Sequence, residues 1–161
     1  MTKDIRDFLR YDPIQGEFRW QRRTAQTVKK DDVAGSIDSK GYRVIRLDGR
    51  YYKAHRLAWY LTFGRWPRDQ IDHINGIRDD NRLVNLREAS NKENKRNSRL
   101  QKNNTTGLKG VYPVRHGNKW KAQIMVDGMS FFLGCFLSRE EAHAAYCEAA
   151  KQHYGEFART S

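Results

Sequence analysis

The spacing of hydrophobic positions changes along the chain, and each spacing predicts a different element. Ile5, Phe8 and Leu9 fall on one side of a short helix over residues 3–10. Tyr11-Asp12-Pro13-Ile14-Gln15-Gly16 is turn chemistry, with Pro fixing φ and Gly allowing φ > 0. Glu17-Phe18-Arg19-Trp20 then alternates as a strand, residues 21–32 read as a polar loop, Val33 to Ile37 as a short strand and Lys40-Gly41 as a turn. Tyr42–Leu47 and Arg50–Ala54 flank Asp48-Gly49, a hairpin signal between two β-rich runs. From His55 to Phe63 the period becomes helical: Leu57, Ala58, Leu61 and Thr62 form a stripe, Gly64 ends it and Pro67 prevents its resumption. Gln70–Ile74 predicts a strand, Asn75-Gly76 a tight turn, and Asp79-Asp80-Asn81 another turn or short helical piece. Asn85–Glu88 returns as the partner strand, and Ser90 with Glu93 forms a capping box that opens a helix over 91–99.

Hydrophobicity vanishes between Asn97 and Thr106, which places a linker at 100–106. Beyond it, Gly110–Arg115, Lys119–Val126 and Ser130–Gly134 read as three strands, with Asp127-Gly128 turning the second into the third. Ser138 and Glu141 form a second capping box for a helix over 139–153, stopped by Gly155. Its Ala142, Ala145, Tyr146 and Ala149 face a sheet side made of Trp120, Ala122, Ile124, Phe131 and Leu133. The other side shows Lys119, Lys121, Gln123, Met125 and Phe132. The expected class is α+β: a small β-rich region over 1–52, a strand–loop–strand–helix segment over 53–99, and a three-stranded antiparallel sheet packed on one helix over 107–161.

Charge adds a partner to this picture. The 161 residues carry a formal net charge of +12 and a pI near 9.9, which suits a polyanion. The alternative is a solvated basic surface with no such partner. Arg43 and Arg46 on the first hairpin, with Arg87, Lys92, Lys95, Arg96, Arg99 and Lys102 further on, are candidates for a nucleic-acid backbone. Arg115 joins them ahead of the second strand of the last sheet. Cys135 and Cys147 form no metal pattern with the histidines and read as reduced thiols. No apolar run approaches the roughly 20 residues that span a bilayer, and the N-terminus is too polar for a secretory signal. The expectation is a cytosolic protein on DNA or RNA, with no membrane partner and no small-molecule substrate.

The central segment carries the chemistry. A phosphodiester is anionic and has a poor alkoxide leaving group, so its hydrolysis benefits from a divalent cation and a base for water. Asp72 offers a charged oxygen ligand and Asn94 a neutral one, which suits one Mg²⁺, or Mn²⁺ in its place, with phosphate and water completing the shell. His73, on the opposite face of the same strand, can serve as general base, and Asn85 can fix its tautomer. Asn91 and Asn97 stand as alternatives to Asn94. His55, at the head of its helix, is read as a packed, hydrogen-bonded residue.

Ala54-His55-Arg56-Leu57-Ala58-Trp59, Asp72-His73-Ile74-Asn75-Gly76, Asn81, Asn85-Leu86-Arg87 and Asn94-Lys95-Arg96-Asn97 together resemble the HNH motif of phage and intron homing endonucleases. The resemblance implies a ββα-metal finger, with His73 as base, Asn85 as its orienting residue and Asp72 with Asn94 as metal ligands. It further implies cleavage to a 5′-phosphate and a 3′-hydroxyl. Gly110-Val111, Lys119-Trp120-Lys121-Ala122-Gln123-Ile124, Phe132-Leu133-Gly134-Cys135-Phe136 and Glu140-Glu141-Ala142 resemble the DNA-binding domain of plant ethylene-response factors, the APETALA-two type. That resemblance implies a sheet laid on double-stranded DNA, with Lys119, Lys121, Gln123, Met125 and Phe132 toward it. The expected protein is a site-specific DNA endonuclease, a monomer or a dimer induced by DNA. The alternatives are a DNA-binding protein whose nuclease site is inactive or regulatory, and a nuclease directed at RNA.

Overall fold

Asp12 and Gly16 close the first hairpin. In the computed structural model, which describes residues 4–98, 100, 103–115 and 117–160, the Asp12 carboxylate accepts from the backbone N–H of Ile14 at 2.9 Å and of Gln15 at 3.1 Å. Gly16 takes φ 72°, which L side chains avoid. The turn pairs β1 (Leu9–Asp12) with β2 (Glu17–Trp20). The helix expected over 3–10 is therefore reduced to one 3-10 turn at Ile5–Asp7. The extended form wins because it aligns Leu9 with Trp20 and Tyr11 with Phe18, whose rings stack at 4.8 Å.

A second sheet holds β3 (Ser36–Ile37), β4 (Arg43–Leu47) and β5 (Arg50–Lys53), in that order. The strand expected from Val33 shrinks to its last two residues, and Val33 makes a single bridge to Arg19. Chain direction reverses at Asp48-Gly49, where both residues have positive φ as the expected turn requires. α1 (Ala54–Phe63) follows directly and ends at Gly64, whose N–H reaches Tyr60 C=O. Its Ala54, Leu57 and Ala58 are buried in one core with Phe18, Ile45 and Ile71. Fully burying a side chain of Leu, Ile or Phe size stabilises by roughly 1.5–3 kcal/mol, so this core fixes the sheets and α1 as one body. β6 (Gln70–His73) then pairs antiparallel with β7 (Leu86–Ala89), and α2 (Asn91–Arg96) follows, three residues shorter than expected over 91–99.

The chain divides into two units, Met1–Asn91 and Lys92–Ser161. In the second, β8 (Val111–Pro113), β9 (Trp120–Val126) and β10 (Met129–Phe136) form a sheet in the order β10-β9-β8. α3 (Arg139–Tyr154) starts with both halves of the Ser138–Glu141 capping box in place. Val111, Ala122 and Ile124 are buried against Ala142, Tyr146, Ala149 and Ala150. β10 outruns the expected strand by one residue at its start and two at its end, and its register shifts between Phe132 and Gly134. Phe131, expected beneath α3, lies opposite Ile124 but is 43% exposed. It sits on an edge strand and meets the end of α3 at His153, with ring centroids 6.4 Å apart.

Candidate functional site

β6 sets the geometry. Successive strand residues point to opposite faces, so the neighbours Asp72 and His73 leave the strand on opposite sides. Both are buried, at 4% and 5% exposure. Across the ladder Asp72 pairs with Arg87, and Arg87 donates through Nε at 3.0 Å and Nη2 at 2.8 Å to Asp72 Oδ2. Arg87, expected on a DNA backbone, thus spends its guanidinium neutralising a buried carboxylate.

His73 lies among rings. Tyr42 is 6.0 Å away by centroids, and His55 meets it edge-on at 5.1 Å. Asn81 Oδ1 lies 3.5 Å from His73 Nε2. Burial lowers the His73 pKa below the ordinary histidine value, against the pull of Asn81, Asp72 and Asp80. The imidazole is therefore neutral near physiological pH, the form that can accept a proton. His55 is buried, and its Nδ1 has no hydrogen-bond partner among the described residues. Burial, followed by the neighbouring His73, pushes its pKa down to about 3. His55 packs as expected, but the expected hydrogen bond is not made at Nδ1 among the described residues.

Asn85 is engaged elsewhere than on the imidazole. Its Oδ1 accepts from Asn75 N–H at 3.0 Å, and its Nδ2 donates to Asp80 C=O at 2.8 Å. Asn75 in turn donates to the Asp80 carboxylate at 2.7 Å, and Asp80 holds Arg82. These bonds shape the loop between β6 and β7, and that loop delivers Asn81 to the ring. Two parts of the N-terminal region brace it from outside. Tyr11 Oη donates to Asn81 C=O at 2.7 Å, and Leu83 N–H reaches Pro13 C=O at 3.0 Å. On the other flank, Arg43 makes a two-pronged pair with Asp79 at 3.0 and 3.1 Å, and Arg78 donates to Lys40 C=O at 2.7 Å. Tyr11, Pro13, Lys40 and Arg43, in the region over 1–52 read as a possible DNA-backbone contact, support the loop beside His73. Local sequence gave no signal for this: Asn81 and Tyr11 are seventy positions apart.

The remaining candidates divide by occupation. Arg46 is exposed, with its guanidinium over the Tyr51 ring at 5.7 Å. Lys92 and Arg96 both hold Asp127, and Lys95 is exposed. Asn94 lies in the middle of α2, half-buried, while Asn91 is exposed and Asn97 buried. Arg99 and Lys102 lie outside the described residues. Arg115, Lys119, Met125 and Phe132 are exposed, and Lys121 and Gln123 half-buried.

A hard divalent cation fits the donors present. The Asp72 carboxylate and an asparagine amide oxygen are hard oxygen ligands. Among the described residues no three His, Cys, Asp or Glu side chains cluster as a metal site. Protein ligands would then be few, with phosphate and water filling the shell, which is the usual way Mg²⁺ is held. Nor is any described helix long and apolar enough to cross a membrane.

Comparison with known proteins places this site in a family. Residues 52–96, which include β6, the loop, β7 and α2, match the HNH endonuclease family. The chain is also 34% identical over 116 residues to Protein 3.8 of Escherichia phage T7, an alignment spanning 68% of this chain and 93% of that protein.

Proposed function

The chain belongs to the HNH endonucleases, and we propose that it is a metal-dependent, site-specific DNA endonuclease of the homing type. The observation that carries this reading is the placement, inside the matched segment, of a buried carboxylate and a buried neutral imidazole on adjacent residues of one strand. In the proposed ββα-metal arrangement of β6, β7 and α2, Asp72 and Asn94 are the metal ligands. A divalent ion bound there would neutralise the scissile phosphate and stabilise the leaving oxygen.

The chain's own groups do the rest. His73 takes the proton from the attacking water, and its enclosure keeps it unprotonated and ready. Asn81 holds the ring at Nε2, while Asn85 acts one step back by fixing the loop that carries Asn81. Arg87 pairs with Asp72 across the ladder and offsets the cost of burying its charge. Hydrolysis leaves a 5′-phosphate and a 3′-hydroxyl. In the second unit, the open sheet face with Lys119, Lys121, Gln123, Met125 and Phe132 grips double-stranded DNA, in the manner of the ethylene-response-factor domain. Arg46, Lys95 and Arg115 add backbone contacts.

The direct test is nicking of supercoiled plasmid with Mg²⁺, with EDTA, and with no added ion. Metal-dependent conversion to open circle or linear DNA supports the reading. Intact plasmid, intact DNA from the neighbourhood of its own gene and intact RNA in every condition would exclude nuclease activity.

A further inference from the structure

The open face of the second unit's sheet has a composition that selects among base pairs. Along the described strands β8, β9 and β10 there is no Asp or Glu and no Arg. The carboxylates of this unit lie off these strands: Glu93 in α2, Asp127 in the hairpin turn holding Lys92 and Arg96, Glu140, Glu141 and Glu148 on α3, and Glu156 just after it. A face cleared of carboxylates on a basic chain suits a polyanion.

Cross-strand register arranges the outward side chains in rows. Lys121 lies opposite Tyr112 on one side and Cys135 on the other. Gln123 lies opposite Phe132, and Met125 opposite Ser130. Phe132 is 64% exposed and Met125 55%, so two large apolar groups stand uncovered beside one amide. Rows two residues apart along a strand are about 6.8 Å apart. That matches two base-pair steps of about 3.4 Å each.

In the major groove an A·T pair presents a donor and an acceptor on adenine and a methyl group on thymine. A glutamine amide matches the first and an apolar side chain the second. Gln123 beside Phe132 offers both to one base pair, and Met125 offers a second methyl contact in the next row. Guanine is most often read by a bidentate arginine or lysine, and the three strands hold no arginine. Lys121 is the one cation among their residues, and its ammonium lies over the Tyr112 ring at 5.5 Å.

We propose that this face reads A·T pairs in duplex DNA, with Gln123 on adenine and Phe132 and Met125 on thymine methyl groups. The proposal rests on the DNA-binding role given to this sheet above and supplies its base preference. Stacking of unpaired bases fits less well. Tyr112 and Phe132 stand on opposite edge strands, about 9.6 Å apart across the sheet, with the lysine over one of them.

The test is equilibrium binding of the full chain in EDTA to short labelled probes: a dA·dT duplex, the same duplex with dU for dT, a dG·dC duplex and single-stranded oligo-dT. The dA·dT duplex should bind about tenfold or more tighter than dG·dC, the discrimination of one good bidentate contact. Replacing dT by dU removes only the methyl and should weaken binding a few-fold in the wild type. The double variant Phe132→Ala with Met125→Ala should abolish that dT/dU difference, and Phe132→Leu with Met125→Leu should retain it, with circular dichroism confirming that both fold. Gln123→Ala should narrow the gap between dA·dT and dG·dC. Equal affinity for the two duplexes, or a dT/dU difference that survives loss of both Phe132 and Met125, would overturn the proposal. So would tighter binding to oligo-dT than to any duplex. Binding in EDTA is read without cleavage, so an intact A·T preference in a chain that cuts no DNA with Mg²⁺ would sink the nuclease reading and leave this proposal standing.

Discussion

Asp72 and Arg87 share surroundings nearly closed to water, with side-chain exposures of 4% and 13%. Removing one member of such a pair strands the other charge, which typically costs about 3–5 kcal/mol. Arg87→Ala should therefore unfold at a much lower urea concentration than the wild type. The double variant Asp72→Asn with Arg87→Ala should recover much of that loss, because no charge is left unpaired. Additive losses would contradict the pairing. His55 makes a second prediction at this scale. Its pKa is pushed down to about 3 in the fold, from 6.5 for an unperturbed imidazole. As pH falls below 6.5 the unfolded chain takes up the proton first, so the His55 contribution is intact above that value and erodes toward 3. The slope in this window approaches about 1.4 kcal/mol per pH unit. Denaturant midpoints should drop between neutral pH and mild acid, and His55→Phe should flatten that drop. An unchanged pH dependence in the variant would show that other groups carry it.

Among the elements, the loop between β6 and β7 depends most on distant partners. Gly16 lies directly under it: a Cβ there would meet Arg82 N at 2.5 Å and Asn81 C at 2.7 Å, both backbone atoms, and its φ is +72°. Gly16→Ala should cost about 1–3 kcal/mol from backbone strain alone. It should also displace Asn81 and lower the cleavage rate, which nicking assays on the folded fraction would detect. Wild-type cleavage by this variant would mean that the hairpin does not position the loop. Elements with local signals were legible in the sequence: the Asp48-Gly49 and Asp127-Gly128 turns, the Gly64 stop and the Ser138–Glu141 box. β1 was not, because Ile5, Phe8 and Leu9 also fit a helical stripe and only pairing with β2 decides against it. Phe131 followed the strand's alternation, but alternation does not show that an edge strand runs past the helix meant to cover it.

Across the whole molecule, the basic charge and the Asp72-His73 motif pointed to a nuclease before any contact was known, and the family match supports that. The partners of individual cations were hidden. Arg43, Arg87, Lys92 and Arg96 look like free positive charges in a sequence, yet each holds a carboxylate that lies far along the chain or across a ladder. The amide beside His73 was hidden for the same reason, since Asn81 and Asn85 both lie on the loop and only its folding decides which one reaches the ring. The account as a whole depends on His73 taking a proton from water. The measurement that tests this is the single-turnover rate of DNA cleavage with Mg²⁺ as a function of pH, for the wild type and His73→Ala. The wild-type rate should fall on the acid side with an apparent pKa below the ordinary histidine value of about 6.5. His73→Ala should be slower by about 10²-fold or more and lose that acid limb. Cleavage by His73→Ala at the wild-type rate, with the same acid limb, would contradict it.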